Sequence, residues 1–199
     1  MAWSQSKEAN ERPPARPGVV RINRQQAAEW QIDNAILVWF QNEEDVVSPH
    51  TLAVAAQGVL TALCRDMGKP FSKVVTWINQ QSKSFQEQIG NPQNFFKHGK
   101  HKQRFKDVAS FTPGLTETFL IDNVVVYQEL FDRLSIPMVV FALRFAVIHP
   151  KGLPLVSFKV ADAKPVQAAE VEKLAGLSRK EFFEAALQLV ARRHDGTTR

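Results

Sequence analysis

Apolar residues recur at three- and four-residue spacing along most of this chain, the period of an amphipathic helix. Ala28, Ile32, Ala35, Ile36, Trp39 and Phe40 mark a first helix over about 23–42. After the acidic turn Glu43-Glu44-Asp45, Ser48 is placed to cap a second helix with Pro49 at its first position. Its expected inner stripe is Leu52, Ala55, Ala56, Val59, Leu60 and Leu63, and Ala53, Ala55, Ala56 and Gly58 are small enough to admit a neighbouring helix closely. Gly68 ends that helix and Pro70 forbids its continuation. A third helix is expected over 72–81, burying Val75, Trp77 and Ile78, with a short amphipathic piece over 85–89.

The next segment, Asn91-Pro-Gln-Asn-Phe-Phe-Lys-His-Gly99, carries its own start and stop signals: Asn91 to cap, Pro92 for the first turn, Gly99 just past the end. Pro113-Gly114 is expected to close a loop, and Thr116 to cap a long helix to about 134 with Phe119, Leu120, Val124, Tyr127, Leu130 and Phe131 inward. Pro137 opens a helix over 138–148 that is apolar nearly all round and therefore central. The β-branched runs 124–127 and 139–141 have strand character, but their length and spacing favour helix. Residues 149–154 break the pattern, 155–160 alternate weakly as an extended segment would, and Pro165 starts a short helix ending at Gly176. Ser178 and Glu181 form a capping box that opens a final helix to about 193, with Phe182, Phe183, Ala186, Leu187 and Val190 on one face. The pattern predicts an all-α protein: an up-down helical bundle over 24–150, a basic arm over 1–23, and a connector with an additional C-terminal helix over 151–199.

Composition adds constraints. The 199 residues are 44% hydrophobic, enough for one well-filled core, and carry a formal net charge of +5. The arm holds Arg12, Arg16 and Arg21 among prolines and reads first as a solvated tail. One cysteine, Cys64, excludes an internal disulfide framework and lies in an apolar run that points to inert burial. The N-terminus lacks the apolar run of a secretory signal, and the longest apolar stretch, Met138 to His149, is too short to span a bilayer and is interrupted by Arg144. The expectation is a cytoplasmic protein, bacterial in style, with no membrane contact.

Chemistry concentrates in one place. Asn94 and His98 stand four apart, so a helix puts them on one face. They are followed by a dense cationic run, with Lys97, Lys100, Lys102, Arg104 and Lys106 interleaved with His98, His101 and Phe105. Cations track a phosphate backbone and Phe105 can stack on a base, whereas Phe95, Phe96, Phe105 and Phe111 serve equally well to anchor a loop. The histidines at 50, 98, 101, 149 and 194 form no metal set, Glu43-Glu44-Asp45 reads as a solvated turn, and there is no Gly-rich phosphate loop or nucleophile elbow. Neither metal nor cofactor is expected.

The segments Asp33-Asn-Ala-Ile-Leu and Thr51-Leu-Ala-Val-Ala-Ala-Gln-Gly-Val-Leu resemble the opening helix pair of HEPN-type bundles, and Asn94-Phe-Phe-Lys-His98 is similar to the Arg-Asn-x-x-x-His element of that superfamily. The resemblance covers roughly 31–131. It implies a helical bundle, often dimeric, and in many members a metal-independent ribonuclease of toxin or phage-defence type, with Asn94 and His98 at the positions of the family's Asn and His. The family arginine is replaced by Gln93, which neither neutralises a phosphate nor moves a proton, although Lys97, Lys100 or Arg104 could substitute. The reading is therefore a non-catalytic HEPN-like module that binds RNA, another nucleic acid or a protein partner through residues 94–106. The alternatives are a metal-independent endoribonuclease using Asn94 and His98, or a structural oligomerisation domain built on Trp30, Trp39 and Trp77, such as a homodimer.

Overall fold

The structure is a computed structural model that describes residues 20–98, 112–150 and 173–196; most of the basic arm, residues 99–111, the extended segment expected over 155–160 and the start of the helix expected from Pro165 lie outside the described residues. Among the described residues there are helices and no strand. The helices are α1 (Arg24–Gln41), α2 (Val47–Asp66), α3 (Lys73–Asn79), α4 (Lys83–His98), α5 (Pro113–Phe131), α6 (Ile136–Ile148) and α7 (Arg179–Gly196). The all-α bundle expected from periodicity is what forms, and the β-branched runs of α5 and α6 are helical because burial outweighs their modest helix penalty.

Local signals account for most boundaries. Asn23 caps α1 through a reciprocal box with Gln26. Ser135 caps α6 by accepting from the Met138 N–H. The Ser178–Glu181 box opens α7, with the Ser178 N–H donating to Glu181 at 2.9 Å. Three start signals were misplaced. Ser48 does not cap α2: the Asp45 carboxylate accepts from the backbone N–H groups of Val47 and Ser48, and the helix begins at Val47, two residues before Pro49. A hydrogen bond from the Ser48 side chain, and next the Ser48 backbone bond, hold the Asp45 carboxyl below its ordinary range. Pro113 is not a loop closer but the first residue of α5, with Thr112 as the capping position and Thr116 buried one turn in. Asn91 and Pro92 do not start a helix, because α4 runs through them. The stripe Phe85, Ile89 and Phe96 continues across Pro92 and packs on the neighbouring helices, so tertiary contact outweighs the backbone bond the proline removes.

The α1–α2 hairpin is the most extensive helix pairing, and α5 lies across it. The core joins Ile32, Ile36 and Phe40 of α1 to Leu60 of α2, Phe119, Leu120, Val124 and Tyr127 of α5, and Met138 and Phe141 of α6. Phe182 and Phe183 of α7 close it, stacked and tilted against Phe40 at centroid distances of 6.3 and 4.9 Å. The C-terminal helix is thus packed into the bundle core itself.

The inner face of α2 is rotated from the expected stripe. His50, Ala53, Val54, Ala56, Leu60 and Cys64 are buried, whereas Leu52, Val59 and Leu63 are half-buried. Gly58 faces open space and serves no close helix approach. Cys64 is buried as expected, and that burial raises its thiol pKa. By length and composition alone α2 could cross a membrane, but in this fold its apolar face packs on α1 and α5. Helix α6 is less central than its composition suggested, with Ile136 and Ile148 exposed. Helix α3 fully buries none of its own residues: Trp77 is 51% exposed, and Val75 and Ile78 are half-buried, Ile78 against the edge of the core. Trp30 is also exposed, but Trp39 is buried, so the three tryptophans expected to share a surface do not.

Candidate functional site

One buried imidazole ties together the helices that frame the cationic segment. His50 of α2 is wholly buried, and its Nδ1 lies 3.1 Å from the Thr116 hydroxyl of α5. The same imidazole meets Phe96 of α4 edge-on at 6.1 Å and Phe119 of α5 at 5.7 Å. Phe96 immediately precedes the cationic run, and Thr116 follows it by ten residues beyond Lys106. One buried ring therefore touches both flanks of the connection between α4 and α5.

The backbone of α4 covers positions 93, 94, 97 and 98, which the sequence singles out. Positions 94 and 98 are one turn apart on the same helix, as expected. Each lies roughly 160° around the axis from Phe96, the position that packs inward. The side chains of Asn94, Lys97 and His98, and all of Lys100, Lys102, Arg104, Phe105 and Lys106, lie outside what the structure describes.

A second polar cluster, missed by sequence reasoning, ties three helices together. Asp122 of α5 is buried and accepts from the Ser72 hydroxyl, from Gln57 Nε2 at 3.3 Å and from the Val74 backbone. Ser72 in turn accepts from the Val75 N–H at 3.0 Å. Burial raises the Asp122 pKa, and the hydrogen bonds from Ser72 and Gln57 oppose that rise. Asp122 sits in an apolar run of α5, so only its buried helical position could have flagged it. The cluster encloses no usable cavity: it fastens α3, whose own apolar contact with the core is limited to half-buried Ile78, to α2 and α5.

A third cluster does line an open cleft, of about 210 Å³, where the C-terminus of α6 meets the first turns of α5 and α7. Trp39 forms its floor, and Glu117, Arg144, His149 and Arg179 bring charge from positions far apart in sequence. The guanidinium of Arg179 lies over the Trp39 ring, 4.1 Å from its centroid. Glu117 is shared between His149 at 3.4 Å and Arg179 at 3.6 Å. Arg144 donates to the Leu177 carbonyl at 2.9 Å and covers the Phe182 ring. Burial, and next the charge of Arg179, lower the Arg144 pKa. The helical period flagged none of these polar residues, because each is one polar position on an otherwise ordinary helix.

Among the described residues no group of three or more His, Cys, Asp or Glu side chains is arranged to hold a metal ion. No family model, curated protein or solved structure matches this chain.

Proposed function

We propose that the protein is a non-catalytic helical module that binds nucleic acid through the cationic segment joining α4 to α5. The observation that carries this reading is where the charge lies. Residues 97–106 hold Lys97, Lys100, Lys102, Arg104 and Lys106 with no acidic residue, a formal +5. The whole chain has 25 Lys and Arg against 20 Asp and Glu, also +5, so the other 189 residues are neutral in sum. Charge concentrated in ten residues makes a local field that a phosphate backbone meets, whereas the same charge dispersed would only aid solubility. Support comes from His50, which holds the flanks of the segment through Phe96 and Thr116. Gln93, in place of the arginine of the HEPN-like pattern, argues for binding without cleavage.

The test is binding of the full chain to a fluorescent single-stranded RNA and a DNA duplex across a salt series. Replacing Lys100, Lys102 and Lys106 with Ser lowers the log–log salt slope by about 0.7 per lost contact on a single strand and about 0.9 on a duplex. Absence of salt-dependent binding to either by the wild-type protein refutes the reading.

The ribonuclease alternative has one observation in its favour: α4 continues unbroken over 94–98, so the Asn and His positions share a helix face away from Phe96. In that case RNA is cut in EDTA, and His98→Ala loses about 10²–10⁴-fold in rate, the worth of an acid–base group. RNA left intact by the wild-type protein in EDTA dismisses this alternative and leaves the binding reading standing.

A further inference from the structure

We infer that the cleft between α5, α6 and α7 is a binding site for a small organic carboxylate with an apolar body. The inference stands apart from the cationic segment and does not rest on nucleic-acid binding.

The first ground is unsatisfied charge. Among the described residues, two guanidinium groups, Arg144 and Arg179, line the cleft against one carboxylate, Glu117. Glu43 lies outside the lining, is exposed, and bonds the Arg179 backbone N–H at 3.3 Å; its charge acts on Arg144 but is screened by solvent. The two arginines of the lining outnumber its one carboxylate, a surplus that a monoanion neutralises.

The second ground is geometry. A charge-assisted N–H···O bond is normally about 2.7–2.9 Å long. Glu117 lies at 3.4 Å from His149 and 3.6 Å from Arg179, so it is stretched between two donors and saturates neither. Arg179 is held over the Trp39 ring with its Nη2 3.6 Å from Glu117, which fixes the planar fork beside the cleft. Arg144 is pinned by the Leu177 carbonyl and does not have to reorganise. These are donors set in place before a ligand arrives, which reduces the entropic cost of binding.

The third ground sets the class. A cleft of about 210 Å³ is below the range of roughly 300–1,000 Å³ usual for drug-sized ligands, so a nucleotide is too large. Phe145 and Ile148 supply apolar wall beside the charges, so an anion with an apolar body gains over inorganic phosphate. The competing account is that these residues only fasten α7 to α5 and α6.

The experiment is a ¹H–¹⁵N NMR titration of the full chain with benzoate, with its neutral isostere benzamide, and with inorganic phosphate. Benzoate is expected to give saturable shifts at the Trp39 indole N–H and at amides of 144–149 and 179–182, with a Kd in or below the millimolar range. Benzamide and phosphate give none. Arg179→Gln weakens benzoate at least about tenfold, or about 1.4 kcal/mol. Should that variant not fold, Arg179→Lys keeps the charge, loses the fork and still weakens benzoate. Glu117→Gln, which removes the competing carboxylate, binds benzoate at least as tightly as wild type. A purely structural cluster yields no saturable benzoate shifts, and that result overturns the inference. So does benzamide acting as well as benzoate, phosphate saturating where benzoate does not, or an Arg179 variant that keeps full affinity.

Discussion

Ser72→Ala is expected to destabilise the fold by an amount that grows with pH. The hydroxyl makes two buried contacts: it donates to Asp122, and it accepts from the Val75 N–H as the cap of α3. Losing an N-cap costs about 1 kcal/mol. Losing a hydrogen bond to a charged group costs about 1.5–3 kcal/mol, and to a neutral one about 0.5–1.5 kcal/mol. The variant should therefore lose about 2.5–4 kcal/mol with Asp122 ionised and about 1.5–2.5 kcal/mol with it protonated. The sign follows from linkage. Burial sets the folded pKa of Asp122 above the ordinary 3.8, so the folded protein holds its proton to higher pH than the unfolded chain does. The corresponding stability is complete below 3.8 and is lost as pH rises through the folded pKa. Ser72 opposes that rise, so removing it lifts the folded pKa further and enlarges the loss. Urea unfolding of wild type and variant at about pH 4 and about pH 8 reads both values. Asp122→Asn supplies the control: it removes the titration, and with it a slope of up to about 1.4 kcal/mol per pH unit. A Ser72→Ala cost that is equal at both pH values, or larger at the acid one, refutes the reasoning.

Two further stability predictions follow from packing. Phe141 is 1% exposed and meets the Trp39 ring at 5.1 Å, so Phe141→Ala should cost about 3–5 kcal/mol in denaturant unfolding, whereas Leu63→Ala, at a half-buried site, falls well below the 2–5 kcal/mol of a fully buried leucine. Gly58 lies mid-helix in α2 with open space where a Cβ would sit, so Gly58→Ala should raise stability by about 0.5–1 kcal/mol, read as a higher urea midpoint with unchanged slope.

The helices of this protein were legible because a three-and-four apolar spacing is a property of neighbouring residues. Asn23, Ser72, Ser135 and Ser178 all cap where local chemistry puts them. Starts failed where two signals competed. At Ser48 and Asp45 both residues can cap, and the more distant carboxylate wins by reaching two N–H groups. At Pro92 a helix-start residue lies inside a longer apolar stripe, and packing of Ile89 and Phe96 keeps the helix intact.

By itself the sequence determined the all-α class, the positions of most helices and the concentration of positive charge in 97–106, because period, capping and charge are read within a few residues. Only the tertiary structure decided which face of the broadly apolar α2 turns inward. It alone buried His50 against Thr116 and Phe96, and it alone gathered Glu117, Arg144, His149 and Arg179 around Trp39. These groups are separated by tens of residues, and their proximity depends on how helices cross rather than on any local pattern. A burial cost or an ion pair exists only after that crossing is made, so neither Asp122 nor the cleft could be found along the chain.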